Sequence, residues 1–240
     1  MIRKRIVFSC FLFVITLTSV FFVMSITVGA FEFDTFSNEE IDALISNIQI
    51  ETLQSAPLKQ TIKCFNVNDS GMIAIGTSDF EQKTICIYDP NGEFQYGYRF
   101  YTAGSFGIEW SKDNNDLLIY FVRGNLMARV TPDGDVVEFK KILNTSANNS
   151  YWRNSVNTTE RSVGECQYII KNDIGFFDFF TSSYSQLIIV ESDGSTSIIY
   201  DVNQNQLLMI MIAALLLFIV MILLFIQKKT HFFFNTKNYL

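Results

Sequence analysis

Residues 104–139, GSFGIEWSKDNNDLLIYFVRGNLMARVTPDGDVVEF, hold three tight polar turns between short apolar runs. Ser105–Trp110, Asp116–Val122, Asn125–Val130 and Asp135–Ile142 read as four strands. The turn Thr131-Pro132-Asp133-Gly134 joins the last two. A glycine closing such a turn supplies the positive φ that a tight hairpin needs, and Asp or Asn tolerates it next door. Leu117–Val122 is apolar on successive residues rather than alternate ones, which predicts a strand covered on both faces.

The same grammar runs in both directions. Upstream, Thr61–Val67, Met72–Thr77, Thr84–Tyr88 and Glu93–Phe100 form a second quartet, with Asp89-Pro90-Asn91-Gly92 before its last strand. Downstream, Glu165–Lys171, Ile174–Thr181, Gln186–Val190 and Ser195–Tyr200 form a third, with Glu191-Ser192-Asp193-Gly194. Gly92 and Gly134 are 42 positions apart, the period of a four-stranded propeller blade. Gly134 and Gly194 are 60 apart, and Leu143–Gly164, rich in Asn, Ser and Thr, reads as one inserted loop that accounts for the surplus.

Residues 85–94, ICIYDPNGEF, followed by 104–139, resemble the NHL-type β-propeller repeat, in which a strand ends in D-x-x-G and the next blade follows. The likeness covers Ile85 to Phe139 well and the third quartet loosely. It implies a binding or scaffolding surface and no reaction. Three blades are fewer than the four to eight that close a ring. An open arc, another β-stack, or a homo-oligomer completing the propeller are the alternatives.

Either side of this body the chain is apolar. Leu207–Ile226, LLMIMIAALLLFIVMILLFI, has no charge, proline or glycine and is long enough to span a bilayer. Ile6–Ala30 is a second apolar run, read as a transmembrane helix or uncleaved signal anchor over residues 1–30. Arg3, Lys4 and Arg5 precede it, and Lys228, Lys229 and Lys237 follow the other, so the positive-inside rule puts both termini in the cytoplasm and residues 31–206 outside, most readily across the plasma membrane. Residues 31–57 are a linker in which Ser37–Gln54 reads as an amphipathic helix. Ser37 and Glu40 form its capping box, and Ile41, Leu44, Ile45 and Ile48 its buried face. The β-domain then covers 58–206, the second span 207–226 and a short cytoplasmic tail 227–240.

All 24 acidic residues but only 12 of the 18 basic ones lie in the outer part. A domain so acidic is a poor nucleic-acid binder, so no nucleic acid is expected as a partner, and anionic lipid headgroups would repel it. Three of the four cysteines lie outside, an odd number, so Cys64, Cys86 and Cys166 are expected as free thiols in strands. The sole histidine, His231, is in the tail, so no Ser-His-Asp, Cys-His or His-metal site can form in the outer domain. No cofactor or metal is expected. The Asp89–Glu93 segment could be taken for a calcium loop, but ordinary turn chemistry explains it.

The expected function is a membrane-anchored binding or scaffold module without catalytic activity, a subunit of a membrane complex or a surface sensor. Its partners would be the bilayer, through two helices, and a protein in the membrane or outside it. A carboxylate-dependent enzyme on the same scaffold is the alternative, and would need two acids converging in one pocket. Candidate contact residues are Trp110 and Arg123, with Glu109 beside them, and Tyr151, Trp152 and Arg153 in the inserted loop, where large aromatics often mark a contact. An interior aromatic and a loop staple are the plainer readings.

Overall fold

The computed structural model describes residues 31–37, 39–41, 44, 48–111, 115–173, 175, 178 and 183–237. The predicted first span, residues 1–30, lies outside them. Three antiparallel sheets make up the body. Sheet I contains β2 (Glu51–Leu53), β6 (Phe94–Tyr101), β5 (Gln82–Tyr88), β4 (Ile73–Asp79) and β3 (Ile62–Val67), in that order from the outer edge. Sheet II runs β1 (Phe33–Asp34), β10 (Val136–Ile142), β9 (Leu126–Val130), β8 (Leu117–Phe121) and β7 (Phe106–Trp110). Sheet III runs β11 (Glu160–Val163), β12 (Cys166–Lys171), β13 (Gln186–Val190) and β14 (Thr196–Asp201).

The first two predicted quartets are present, and each gains a short outer strand from the linker. The predicted helix over Ser37–Gln54 therefore stops before Glu51, where the chain pairs with β6. Its start is as read. Ser37 N–H donates to Glu40 Oε2 (2.9 Å) and Glu40 N–H to Ser37 Oγ (3.3 Å), a reciprocal capping box. Residues 39–41 and 44 are helical, and Ile41, Leu44 and Ile48 pack on the core between sheets I and II. Ile45 lies outside the described residues.

Sheet III corrects the reading of the third quartet. β12 pairs directly with β13, Lys171 opposite Gln186, so no strand over 174–181 lies between them. Most of 174–181 is outside the described residues. The fourth strand is β11, paired with β12 from Glu160↔Ile169 to Val163↔Cys166. Its sequence, ERSV, has no apolar run, and so it was hidden in the predicted loop. The rest of that loop is not irregular either. Helix α1 (Ser146–Tyr151) passes into a π-helical turn, Trp152–Val156. Thr145 caps it, its Oγ1 accepting from Asn148 N–H (3.1 Å).

Sheet I is the middle layer. Ile85, Ile87, Tyr98 and Phe100 face Phe106, Ile108, Leu117 and Ile119 of sheet II. From its other side Phe65, Ile73, Ile75 and Cys86 face Tyr168, Ile170, Leu187 and Ile189 of sheet III. This is why its strands are apolar without alternation. The far face of sheet II is covered as well: Val156, Trp152 and Phe31 pack on Tyr120 and Met127. The inserted segment thus covers the face of sheet II that sheet I leaves open. Gly107 makes this possible, since a Cβ there would lie 2.5 Å from Val156 Cγ1 and 2.7 Å from Trp152.

Strand direction gives the body two ends. The hairpin turns holding Asn68, Asp89, Asp133, Gly164 and Asp193 gather at one, the turn end. At the other, β14 passes through Val202 into α2 (Asn203–Lys237), so this is the helix end. Residues 203–225 of α2 form a helix long and apolar enough to cross a membrane, and none of this stretch is buried against the domain. The helix extends beyond the apolar stretch on both sides, from Asn203 to Lys237, about 52 Å in all at 1.5 Å per residue.

A polar cleft at the turn end

Where the inner strands β3, β7 and β11 finish, a cleft of about 710 Å³ opens, lined by Asn66, Asn68, Asp69, Ser70, Glu109, Trp110 and Arg161 among others. Arg161 is its organising residue. Its Nε donates to Phe65 O (3.1 Å), and Nη2 to Ser155 O (2.8 Å) and Val156 O (3.2 Å). One side chain so joins sheet I, sheet III and the π-helical turn. Its guanidinium carbon also sits 5.6 Å from the Phe65 ring centroid. Burial lowers its pKa from the usual value, and the charge of Glu109 works the other way. No carboxylate among the described residues lies within 4 Å of it.

Glu109 is held by two phenols. Tyr120 donates to Oε2 (2.6 Å) and Tyr151 to Oε1 (2.9 Å). Burial raises the pKa of both tyrosines, and the Glu109 charge raises it further, so they stay protonated donors. Asn66 is buried, its Nδ2 donating to Ile108 O across the sheet I–II seam (3.3 Å). Trp110, half-buried, has an indole N–H that is buried without a hydrogen-bond partner. At the rim, Asn68 is spent on its turn, accepting from Ser70 and Met72 N–H. Ser70, Ser111 and Asn115 keep side chains without a protein hydrogen bond among the described residues. The cleft therefore offers a guanidinium edge, hydroxyls and an amide to whatever enters.

The sequence candidates separate. Trp110 and Glu109 line this cleft. Arg123 is at the helix end, its Cβ packed near Gly104. Tyr151 and Trp152 are not exposed loop aromatics: Tyr151 stacks edge-on to Phe31 (4.7 Å) and Trp152 edge-on to Tyr120 (6.5 Å). Arg153 is exposed and bonds Asn149 O within its own helix (3.2 Å). The sequence reading missed Arg161 and Tyr120. An arginine and a tyrosine in strands carry no local sign that their partners lie 96 and 11 positions away. Asp89 holds its own turn, Oδ1 accepting from Asn91 N–H (2.9 Å) and Glu93 N–H (2.8 Å). No cluster of three metal-ligating side chains occurs among the described residues.

No family model matches the chain, and no curated protein matches it. Two solved structures are similar: a streptogramin B lyase, at 10% identity, and a selenomethionine-substituted virginiamycin B lyase from Staphylococcus aureus, at 12%. Each alignment covers 65% of this chain and 46% of the other, with a TM-score of 0.26. The chain thus spans less than half the length of these neighbours.

Proposed function

We propose that the protein is a membrane-anchored, non-catalytic binding module that holds its polar cleft outward, away from the bilayer. The observation that carries this reading is the bare apolar surface of residues 207–225, on the helix that leads out of sheet III. A helix so apolar and so uncovered is stable in hydrocarbon and not in water. The turn end, with Arg161, Trp110, Ser70 and Ser111, is opposite to it and free for a partner rich in hydrogen-bonding groups. The orientation rests on the basic residues flanking both apolar runs.

Two measurements test this. Asn91→Cys, at the turn end, should label with a membrane-impermeant maleimide on sealed cells. A photo-crosslinking residue at Ser70 should give a discrete adduct that Trp110→Ala removes. Absence of both would overturn the reading. A carboxylate-dependent enzyme is the second reading, because Asp69 and Glu109 line the same cleft. The two phenols hold both oxygens of Glu109, which favours a positioning role for it.

A further inference from the structure

We infer that the helix end of the β-domain is itself a bilayer-docking face, which lays apolar hairpin tips into the interface and a lysine-lined cleft against lipid phosphates. This rests on α2 crossing the membrane. β14 ends at Asp201 and α2 begins at Asn203, so Val202 alone separates domain from helix, and it is buried. The junction is tied on both sides. Val202 N–H donates to Ser185 O (2.9 Å), Asn203 N–H to Asp201 Oδ1 (2.7 Å), and Ser185 Oγ bonds Asn203 Oδ1. The uninterrupted apolar run starts at Leu207, four helical residues on, about 6 Å along the axis. A domain joined without slack to a span must rest at the headgroups.

The side chains at this end suit that position. Phe80, at the tip of the β4–β5 hairpin, is 94% exposed and has φ of 50°. A left-handed phenylalanine is a strained choice, and glycine or asparagine would serve the turn better. Its ring is also given no protein surface to cover. Tyr101 at the end of β6, Val122 after β8 and Leu143 after β10 are exposed at the same end. Behind these tips lies a cleft of about 520 Å³ lined by Lys63, Lys83 and Ser78, with Ser105 and Val122. Lys83 is buried. Its Nζ donates to Ser78 Oγ (2.7 Å) and to Phe80 O, locking the tip. Lys63 and Lys83 repel one another, Glu81 offsets part of that, and no described carboxylate lies within 4 Å of either ammonium. Two cations lining one cleft with no ion-paired carboxylate match a phosphodiester.

Charge is segregated to agree. The turns of the opposite end carry nine described acidic residues, from Asp69 to Asp193, and no described Lys or Arg. The net negative charge of the domain therefore lies far from the bilayer, where anionic lipid repels it least. Glu32, Asp79, Glu81, Asp173 and Asp201 do lie at the helix end, but beside Lys63, Lys83, Lys141 and Lys171, so neutral phosphatidylcholine with a minor anionic component is the expected surface.

The test uses the full chain in nanodiscs containing phosphatidylcholine with a lipid-borne nitroxide quencher. Phe80→Trp is compared with Asn91→Trp at the turn end and with Phe218→Trp within α2, each after subtraction of the native Trp110 and Trp152 signal. The expected result is strong quenching of Phe218→Trp, at least two-fold more quenching of Phe80→Trp than of Asn91→Trp, and a loss of that difference in Phe80→Trp/Lys63→Glu. Phe218→Trp quenched with Phe80→Trp no different from Asn91→Trp overturns the docking face alone. Phe218→Trp unquenched overturns the membrane reading and the docking face with it.

Discussion

The Tyr200 hydroxyl closes a two-way bridge to the backbone of Gln60, 140 residues earlier, accepting from its N–H at 2.9 Å and donating to its C=O at 2.7 Å. It joins the last strand of sheet III, just before α2, to the chain entering sheet I. The same ring stacks edge-on to Tyr88 (6.0 Å) and lies under Lys59 Nζ (4.9 Å). Tyr200→Phe keeps the packing and leaves both Gln60 backbone groups unpaired. The expected loss is roughly 1–3 kcal/mol, read as a lower urea midpoint of the full chain in detergent by near-UV circular dichroism. An unchanged midpoint would show that water replaces the hydroxyl at no cost.

Gly107→Ala tests whether the inserted helix is part of the core. The added methyl meets Val156 and Trp152 at under 3 Å, and neither is the tip of a flexible chain. Overpacking of this kind costs roughly 1–3 kcal/mol. Because the clash falls on the insertion, Trp152 should redden in fluorescence and residues 143–159 should become cleavable by protease before the sheets unfold.

Arg161→Met should have a like effect by another route, since it leaves the carbonyls of Phe65, Ser155 and Val156 without their shared donor. Arg161→Lys supplies one ammonium for a three-way fork and should not restore it. Limited proteolysis between Asn154 and Arg161, compared across the three proteins, checks this. Equal resistance would mean the staple is dispensable.

What could be read from the chain divides along physical lines. Strands such as Ile85–Tyr88 and Leu117–Phe121 were legible because burial on both faces writes itself as an apolar run, and their turns because Asp and Gly have few other uses there. β11 was not, since Glu160-Arg161-Ser162-Val163 owes its place to pairing with β12 and to the Arg161 fork. β1 and β2 are edge strands of two and three residues, too short for a period. The cleft was half legible. Trp110 and Glu109 stood out as unusual strand residues, whereas Arg161 and Tyr120 acquire meaning only through contacts made in three dimensions.

The span makes its own prediction. Leu216 is at the middle of the exposed apolar stretch of α2. Leu216→Arg should disfavour insertion by roughly 2.5–3.5 kcal/mol on the translocon scale. A glycosylation-tag insertion assay should show a matching shift toward the uninserted form, whereas Gln227→Arg, beyond the apolar stretch, should shift it little. Equal insertion of Leu216→Arg and the parent protein would remove the helix from the membrane.

Alkali should unfold the domain through its buried thiols and phenols. Burial raises Cys64 from 9.0 to about 12 and Cys86 to about 11, with Tyr88, Tyr98 and Tyr200 also shifted upward by burial. These groups are protonated in the folded state while the unfolded chain has begun to release their protons. Each folded value lies above the unfolded one, so the full contribution is present below about pH 9. It then declines as pH rises toward the folded values, by up to about 1.4 kcal/mol per pH unit for each group in that window. The urea midpoint should therefore be flat from pH 7 to 8.5 and fall steeply between pH 9 and 11. Cys86→Ala should make the fall shallower by one proton's slope. At pH 7.5 the same burial predicts that a maleimide reaches Cys166, which is half-exposed, and spares Cys64 and Cys86 until urea is added. Rapid native labelling of Cys64 at pH 7.5 would contradict a closed core between sheets I and II.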